Sequence, residues 1–288
     1  LDFFDFLRRQ NILICLEMPT YPYFKERFKI LKTRFKSWDI KGTLKTGFLF
    51  LEDAVLTRQL RKSVSLIVTF AGQKEILGVP CVPITNGIGE TVGARHKIDH
   101  KDQLNLLFVA NVAAAHGLDR VLNGLASYQK NSSVPNVHLY IVGEGPERPN
   151  LERLCATLHL KDAVTFCGQL FGEDLQNYYD IADVAISSIG SFRLNLIEWS
   201  PLKTREYLGV GLPCIGVDTD HEVALHPVLS KFYMKVRNDN SPILVEEIID
   251  FWNSVKTYEP EEIREAALRT FSWEQRMEKV FSYWQEMK

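Results

Sequence analysis

The side chains most suited to chemistry by type and spacing fall between Asn195 and Val217, in the run NLIEWSPLKTREYLGVGLPCIGV. Ser200 followed by Pro201 reads as a helix start, because a hydroxyl can cap the helix and proline is pre-set for its first turn. Gly211 tolerates the left-handed conformation that ends such a helix, and Pro213 prevents any continuation. The free N–H groups near Leu202 and Lys203 make an anion site, and Lys203, beside Thr204, adds a mobile positive charge. Glu206 shares a helical face with Lys203, while Glu198 stands just ahead of the helix. An ammonium and a carboxylate at a phosphate-binding helix start suit a ligand with both phosphate and sugar hydroxyls. The plainer reading is an amphipathic helix with two solvated carboxylates.

The elements that must position these groups alternate in type. Leu104–Ala110, Val137–Val142, Val164–Cys167, Val184–Ser187 and Cys214–Val217 read as strands. Between them, Leu118–Gln129, Pro146–Leu158, Leu170–Ile181 and Pro201–Val210 read as helices. That order calls for a parallel sheet covered on both faces, with ligands at the carboxyl ends of its strands. The loop after the first strand carries Asn111, His116 and Gly117; His116 serves either a phosphate or the loop itself. After the second strand, Gly143 and Gly145 allow close backbone approach to a ligand, and Pro146 is placed to open a helix. Asp183 reads as a cap or turn residue. Asp218, Asp220 and His221 have the chemistry of a divalent-cation site, but a polar loop lining the cleft is preferred, and no metal or cofactor is expected.

The first part of the chain is harder to read. Asn11–Leu16 is apolar enough for a strand and Glu17–Tyr23 for a rigid loop. Thr46–Arg61 reads as a helix, Ser65–Phe70 as a strand, Ala71–Leu77 as a short helix and Cys81–Ile84 as a strand. Phe24, Phe28, Leu31, Phe35 and Trp38 make one helical stripe in a lysine-rich stretch ending at Lys45. That stripe either packs into the core or forms a basic amphipathic surface that touches anionic lipid. Asn86-Gly87 is a turn that suits a hinge, and Gly89–Gln103 a linker. Pro242–Lys288 reads as helical throughout, with Ser272 capping the last helix. The net charge of −2 gives no global sign of nucleic-acid binding. None of the five cysteines forms a C-x-x-C pair, which fits buried thiols in a reducing cytosol. No run is long and apolar enough to span a bilayer.

Taken together, the E-x7-E spacing of Glu198 and Glu206, the Ser-Pro, Lys203 and the Gly-Leu-Pro exit resemble the signature of family-4-type retaining glycosyltransferases of the GT-B fold. The runs Pro-Thr-Tyr-Pro-Tyr, His-Gly-x-Asp-Arg and Ser-Pro-Leu-Lys-Thr-Arg-Glu-Tyr are similar to the bacterial branch that builds surface polysaccharides. The resemblance implies an α/β protein with two Rossmann-like doubly wound domains. Residues 1–88 would be a truncated acceptor-side domain, 89–270 the nucleotide-sugar domain, and 271–288 a helix crossing back to the first. It also implies transfer of a sugar from a nucleotide diphosphate, a UDP-sugar first among them, to a saccharide or lipid-linked hydroxyl. Glu206 would accept from the ribose hydroxyls, Glu198 would lie near the donor sugar, and Gln169 with Leu170 would meet the base. Glu17 stands where the family often has a histidine, and would position the acceptor or pair locally. Asn111 and His116 replace the family's arginine and lysine, leaving Lys203, with Arg120 or Arg193, to neutralise the diphosphate. The implied setting is cytoplasmic, at the inner membrane face. A GT-B epimerase, or a non-catalytic partner that keeps the fold, are the rival readings.

Overall fold

The computed structural model describes residues 2–18, 32, 35, 40–70, 73–89, 93–98, 100, 102–131, 135–194, 202–217 and 220–286. The Pro19–Tyr23 loop, most of the stripe from Phe24 to Trp38, and Glu198, Ser200, Pro201 and Asp218 lie outside the described residues. Two compact units are present, Leu1–Thr85 with Arg276–Lys288, and Asn86–Gln275.

In the first unit, α1 (Asp2–Arg9) precedes β1 (Cys15–Glu17), α2 (Ile40–Ser63), β2 (Leu66–Thr69), β3 (Glu75–Ile76) and β4 (Val79–Pro83). The sheet order is β1-β2-β4-β3; β1, β2 and β4 run parallel and β3 is antiparallel to β4. Side chains alternate across this sheet as the two-residue period of a strand requires. Ile67, Val79 and Cys81 pack with Val64 and Ile76 on one face, while Leu66, Val68, Val82 and Ile84 pack with Val280 on the other. The Lys279 ammonium donates to the Pro83 carbonyl at 2.8 Å. Two expectations are corrected here. The segment read as a helix over 71–77 contains β3, because Leu77 (φ 56°) and Gly78 (φ 79°) turn the chain straight back into β4. The first strand begins only at Cys15, so that Glu17 ends a strand instead of starting a loop.

The second unit runs β5 (Gln103–Val109), α3 (Leu118–Asn131), β6 (Asn136–Val142), α4 (Arg148–Thr157), β7 (Val164–Gly168), α5 (Gly172–Ile181) and β8 (Val184–Ile186). It continues through α6 (Leu202–Gly209), β9 (Cys214–Gly216), α7 (His221–Ala224), β10 (Tyr233–Lys235), α8 (Val245–Val255) and α9 (Pro260–Phe271) to the start of α10 (Trp273–Glu286). All six strands are parallel in the order β10-β9-β8-β5-β6-β7. Counted from β5, this is the 3-2-1-4-5-6 arrangement of a doubly wound dinucleotide-type fold. The central strands β5, β8 and β9 are buried on both faces. Leu104, Leu106 and Phe108 join α3 and α8 in one core, while Leu107 joins Tyr207, Leu208 and α9 in the other. Burial of each such Leu or Phe side chain stabilises the fold by about 1.5–3 kcal/mol. The Asp183 carboxylate accepts from the Asn105 backbone N–H at 2.8 Å and closes the amino ends of β5 and β8.

Candidate functional site

The order of the sheet creates a crevice where β5 and β8 part, the topological switch point at which such folds bind ligands. The two strands pair only at Leu106–Val184 and Leu107–Ala185. Beyond that pairing the hydroxyl of the fully buried Tyr207 takes over, accepting from Val109 N–H at 2.9 Å and lying 3.3 Å from the Ile186 carbonyl. Tyr207 thus fills the gap from below with a phenol whose ionisation burial pushes well above the usual range.

Above that phenol, loops from three elements converge. His116 ends a 3-10 turn after β5, and Gly117 leaves it in the left-handed conformation (φ 70°). A side chain at Gly117 would meet the Gly190 backbone at 2.8 Å, and one at Gly190 would meet Gly117 at 2.9 Å, so the loops after β5 and β8 touch through bare backbone. His116 Nδ1 lies 3.0 Å from the Ser188 hydroxyl and 3.3 Å from the Lys203 ammonium. An ammonium only donates, so Nδ1 is the acceptor and the neutral ring carries its proton on Nε2. Burial first, then the charge of Lys203, lower the His116 pKa to about 4, against a smaller upward pull from Asn111. His116 is therefore a neutral imidazole at pH 7.

Helix α6 supplies the rest. Glu206 is half-buried beside Lys203; burial raises its pKa and the Lys203 charge partly offsets this. No described residue donates a hydrogen bond to the Glu206 carboxylate, so its oxygens remain available to hydroxyl donors. Thr204 points the other way and donates to the Ser187 hydroxyl at 2.8 Å. Its side chain holds the helix to the loop after β8.

A cavity of 660 Å³ opens beside this cluster at the carboxyl ends of β5, β6 and β7, lined by Asn111, Gly143, Gly145, Gln169, Leu170 and Phe171 among others. Gly143 (φ 133°) leaves no room for a side chain, which would fall 1.9 Å from the Ala110 carbonyl oxygen. Glycine here lets two loops close against each other at the cavity floor. Phe171 is 71% exposed at the rim, and the Glu144–Arg148–Glu152 ion-pair row runs along the neighbouring wall. Helix α4 starts at Arg148, two residues after the proline expected to open it.

The structure gathers Asn111, His116, Gly117, Lys203 and Glu206 around the switch point, and Gly143, Gly145 and Gln169 around the adjoining cavity, while the Thr204 side chain is buried against Ser187 and turned away from both. Glu17 is exposed in the first unit, and Glu198 lies outside the described residues. Neither arginine proposed to meet a diphosphate is placed to do so. Arg120 is buried and donates to the Ser241, Ile189 and Arg237 carbonyls. Arg193 forms a two-pronged pair with Asp119. Asp220 caps α7 and is bonded by Arg205. Sequence reasoning missed Ser188, Tyr207 as the wedge, and Arg205. A serine pair after a short strand was the only visible hint of the first.

Residues 94–226 match the family described as Glycosyl transferases group 1, a span somewhat under half of the 288 residues. No curated protein matches the chain. Among solved structures, the chain is similar to sucrose-phosphate synthase from Thermosynechococcus elongatus, at 16% identity over 94% of this chain and 81% of that one, with a TM-score of 0.56. A glycosyltransferase from Rickettsia africae gives 12% identity over 99% and 79%, with a TM-score of 0.61. The Anabaena protein HepE, solved in complex with UDP, gives 15% identity over 80% and 67%, with a TM-score of 0.56. Residues 94–226 thus resemble the glycosyl transferases group 1 family, in an α/β chain with the GT-B fold.

Proposed function

We propose that the protein is a retaining glycosyltransferase that moves a sugar from a nucleotide diphosphate, a UDP-sugar, to a saccharide or lipid-linked hydroxyl in surface-polysaccharide synthesis. The observation that carries this reading is the meeting of Lys203, neutral His116, Ser188 and unengaged Glu206 at the switch point of a 3-2-1-4-5-6 sheet. The matched family and the UDP held by the Anabaena neighbour support the same donor class. In this reading the unit from Asn86 to Gln275 holds the donor, and the smaller unit faces the acceptor.

Negative charge builds on the diphosphate as the sugar departs, and preorganised donors at that point lower the barrier. Lys203 supplies a fixed cation and Ser188 a hydroxyl. His116 accepts a proton once the anion offsets the burial that keeps it neutral. Glu206 takes the ribose hydroxyls, Glu198 lies near the donor sugar, and Gln169 meets the base beside Phe171. The leaving phosphate accepts the acceptor's proton, so no protein base is needed; Glu17 positions the acceptor. The setting is the cytoplasmic face of the membrane; no described helix is long and apolar enough to cross it. Calorimetry with UDP, GDP and ADP, followed by transfer assays with matching sugar nucleotides and NMR of the product anomer, tests the whole chain of steps. UDP binding with anomeric retention is the expected result, and an inverted product would refute the retaining mechanism.

One observation favours a second reading. The resemblance would put two permanent cations at Asn111 and His116, and His116 is neutral. A partner that binds nucleotide without turnover has the same geometry; nucleotide binding with no transfer or hydrolysis from any donor would select it.

A further inference from the structure

Beside Lys203 and Glu206, on the side of α6 turned away from the crevice, lies a group that the proposed chemistry does not use. The Arg205 side chain is 0% exposed. Its guanidinium meets Asp220 with both prongs, Nε to Oδ2 at 2.9 Å and Nη2 to Oδ1 at 3.1 Å. Nη2 also donates to Glu222 at 2.6 Å, Nη1 donates to the Asn86 carbonyl, and the ring of Phe271 lies 4.5 Å away. These partners come from three places in the chain. Asp220 and Glu222 belong to the turn that opens α7; Asn86 is the first residue of the second unit; Phe271 ends α9. Asn86 is tied further, since Ile88 N–H donates to the Phe271 carbonyl at 2.9 Å and Trp273 N–H to the Ile88 carbonyl at 3.2 Å. The segments through which the chain enters and leaves the second unit are therefore laced together, and Arg205 fastens α6 to both.

We propose that Arg205 is a positioning residue for the donor site: its five-donor fork anchors α6, and with it Lys203 and Glu206, to the Asn86–Ile88 and Phe271–Trp273 segments. The inference rests on the donor reading given above. The argument is geometric. Helix α6 has only eight residues, too few to hold its own orientation without outside contacts. Thr204 fixes it to the loop after β8, and Arg205, about 100° further round the helix, fixes a second side. A lysine in place of Arg205 keeps the charge but has three donors on one atom, and cannot reproduce the two-pronged contact with Asp220 together with the bonds to Glu222 and Asn86.

The test compares full-length wild type with Arg205→Lys, Glu222→Gln and the control Val137→Ala, a buried change in the same unit in the core on the other face of the sheet. Two readouts are taken: the Kd for UDP by calorimetry, and amide exchange over 86–88, 202–209 and 272–275 against 118–131, without nucleotide. Arg205→Lys is expected to weaken UDP binding on the order of tenfold and to speed exchange in the first three segments, sparing 118–131. Glu222→Gln, at a carboxylate 34% exposed, keeps the fold and shows a smaller loss in the same direction. Wild-type UDP affinity in both variants would overturn the proposal, as would an equal loss in Val137→Ala. Should wild type bind no UDP, the donor reading falls and the positioning role with it. Exchange then still separates an anchored α6 from an unanchored one.

Discussion

At the scale of single residues, the candidate site centres on a lysine that leans on a histidine. Removing the Glu206 carboxylate should cost UDP about 1–3 kcal/mol of binding, the worth of hydrogen bonds to the ribose. Glu206→Ala by titration calorimetry measures it, and an unchanged Kd removes Glu206 from the site. His116 makes a second prediction, about acid. Its ordinary pKa is 6.5 and its folded value about 4, so between these the unfolded chain binds the extra proton and stability rises with pH. The contribution is complete above 6.5 and is lost as pH falls towards 4. Urea unfolding of His116→Asn should show a flatter dependence across that window than wild type. The pairing of Lys203 with Glu206 was legible in the sequence because both follow from helical spacing. The fates of Arg120 and Arg193 were not. Arg120 bonds a carbonyl 121 positions away, and no local pattern announces which cations a fold consumes internally.

Among the elements, the alternation from β5 to β9 could be read directly, since buried parallel strands are short apolar runs between amphipathic helices. The β3–β4 hairpin escaped because its turn uses Leu77 at positive φ, where asparagine or glycine would have signalled it. The crevice itself could not be foreseen, for it depends on Tyr207 reaching between two strands that pair through only two registers. Tyr207→Phe leaves the Val109 N–H buried without its acceptor and should cost about 1–3 kcal/mol of stability. Chemical denaturation reads this loss. A neutral outcome would mean that β5 and β8 close on each other without the wedge.

For the molecule as a whole, the two units differ greatly in what holds them. The larger has two extensive cores on either face of a six-stranded sheet; the smaller packs two modest clusters about four short strands. Calorimetry should therefore resolve two transitions, the first from the smaller unit. UDP at a hundred times its Kd should stabilise the second alone by about 2.7 kcal/mol. One cooperative transition, moved as a block by nucleotide, would contradict this.

The backbone contact of Gly117 with Gly190 limits how this protein can diverge. Neither position accepts even a methyl group while the other stays in place, so this end of the crevice is frozen against stepwise substitution. Around Gln169 and Phe171 the chain is exposed, and side chains there exchange without disturbing a neighbour. If the proposed donor site is right, new ligand preferences, whether in nature or in a laboratory library, should arise at that rim, with the glycine contact inherited unchanged.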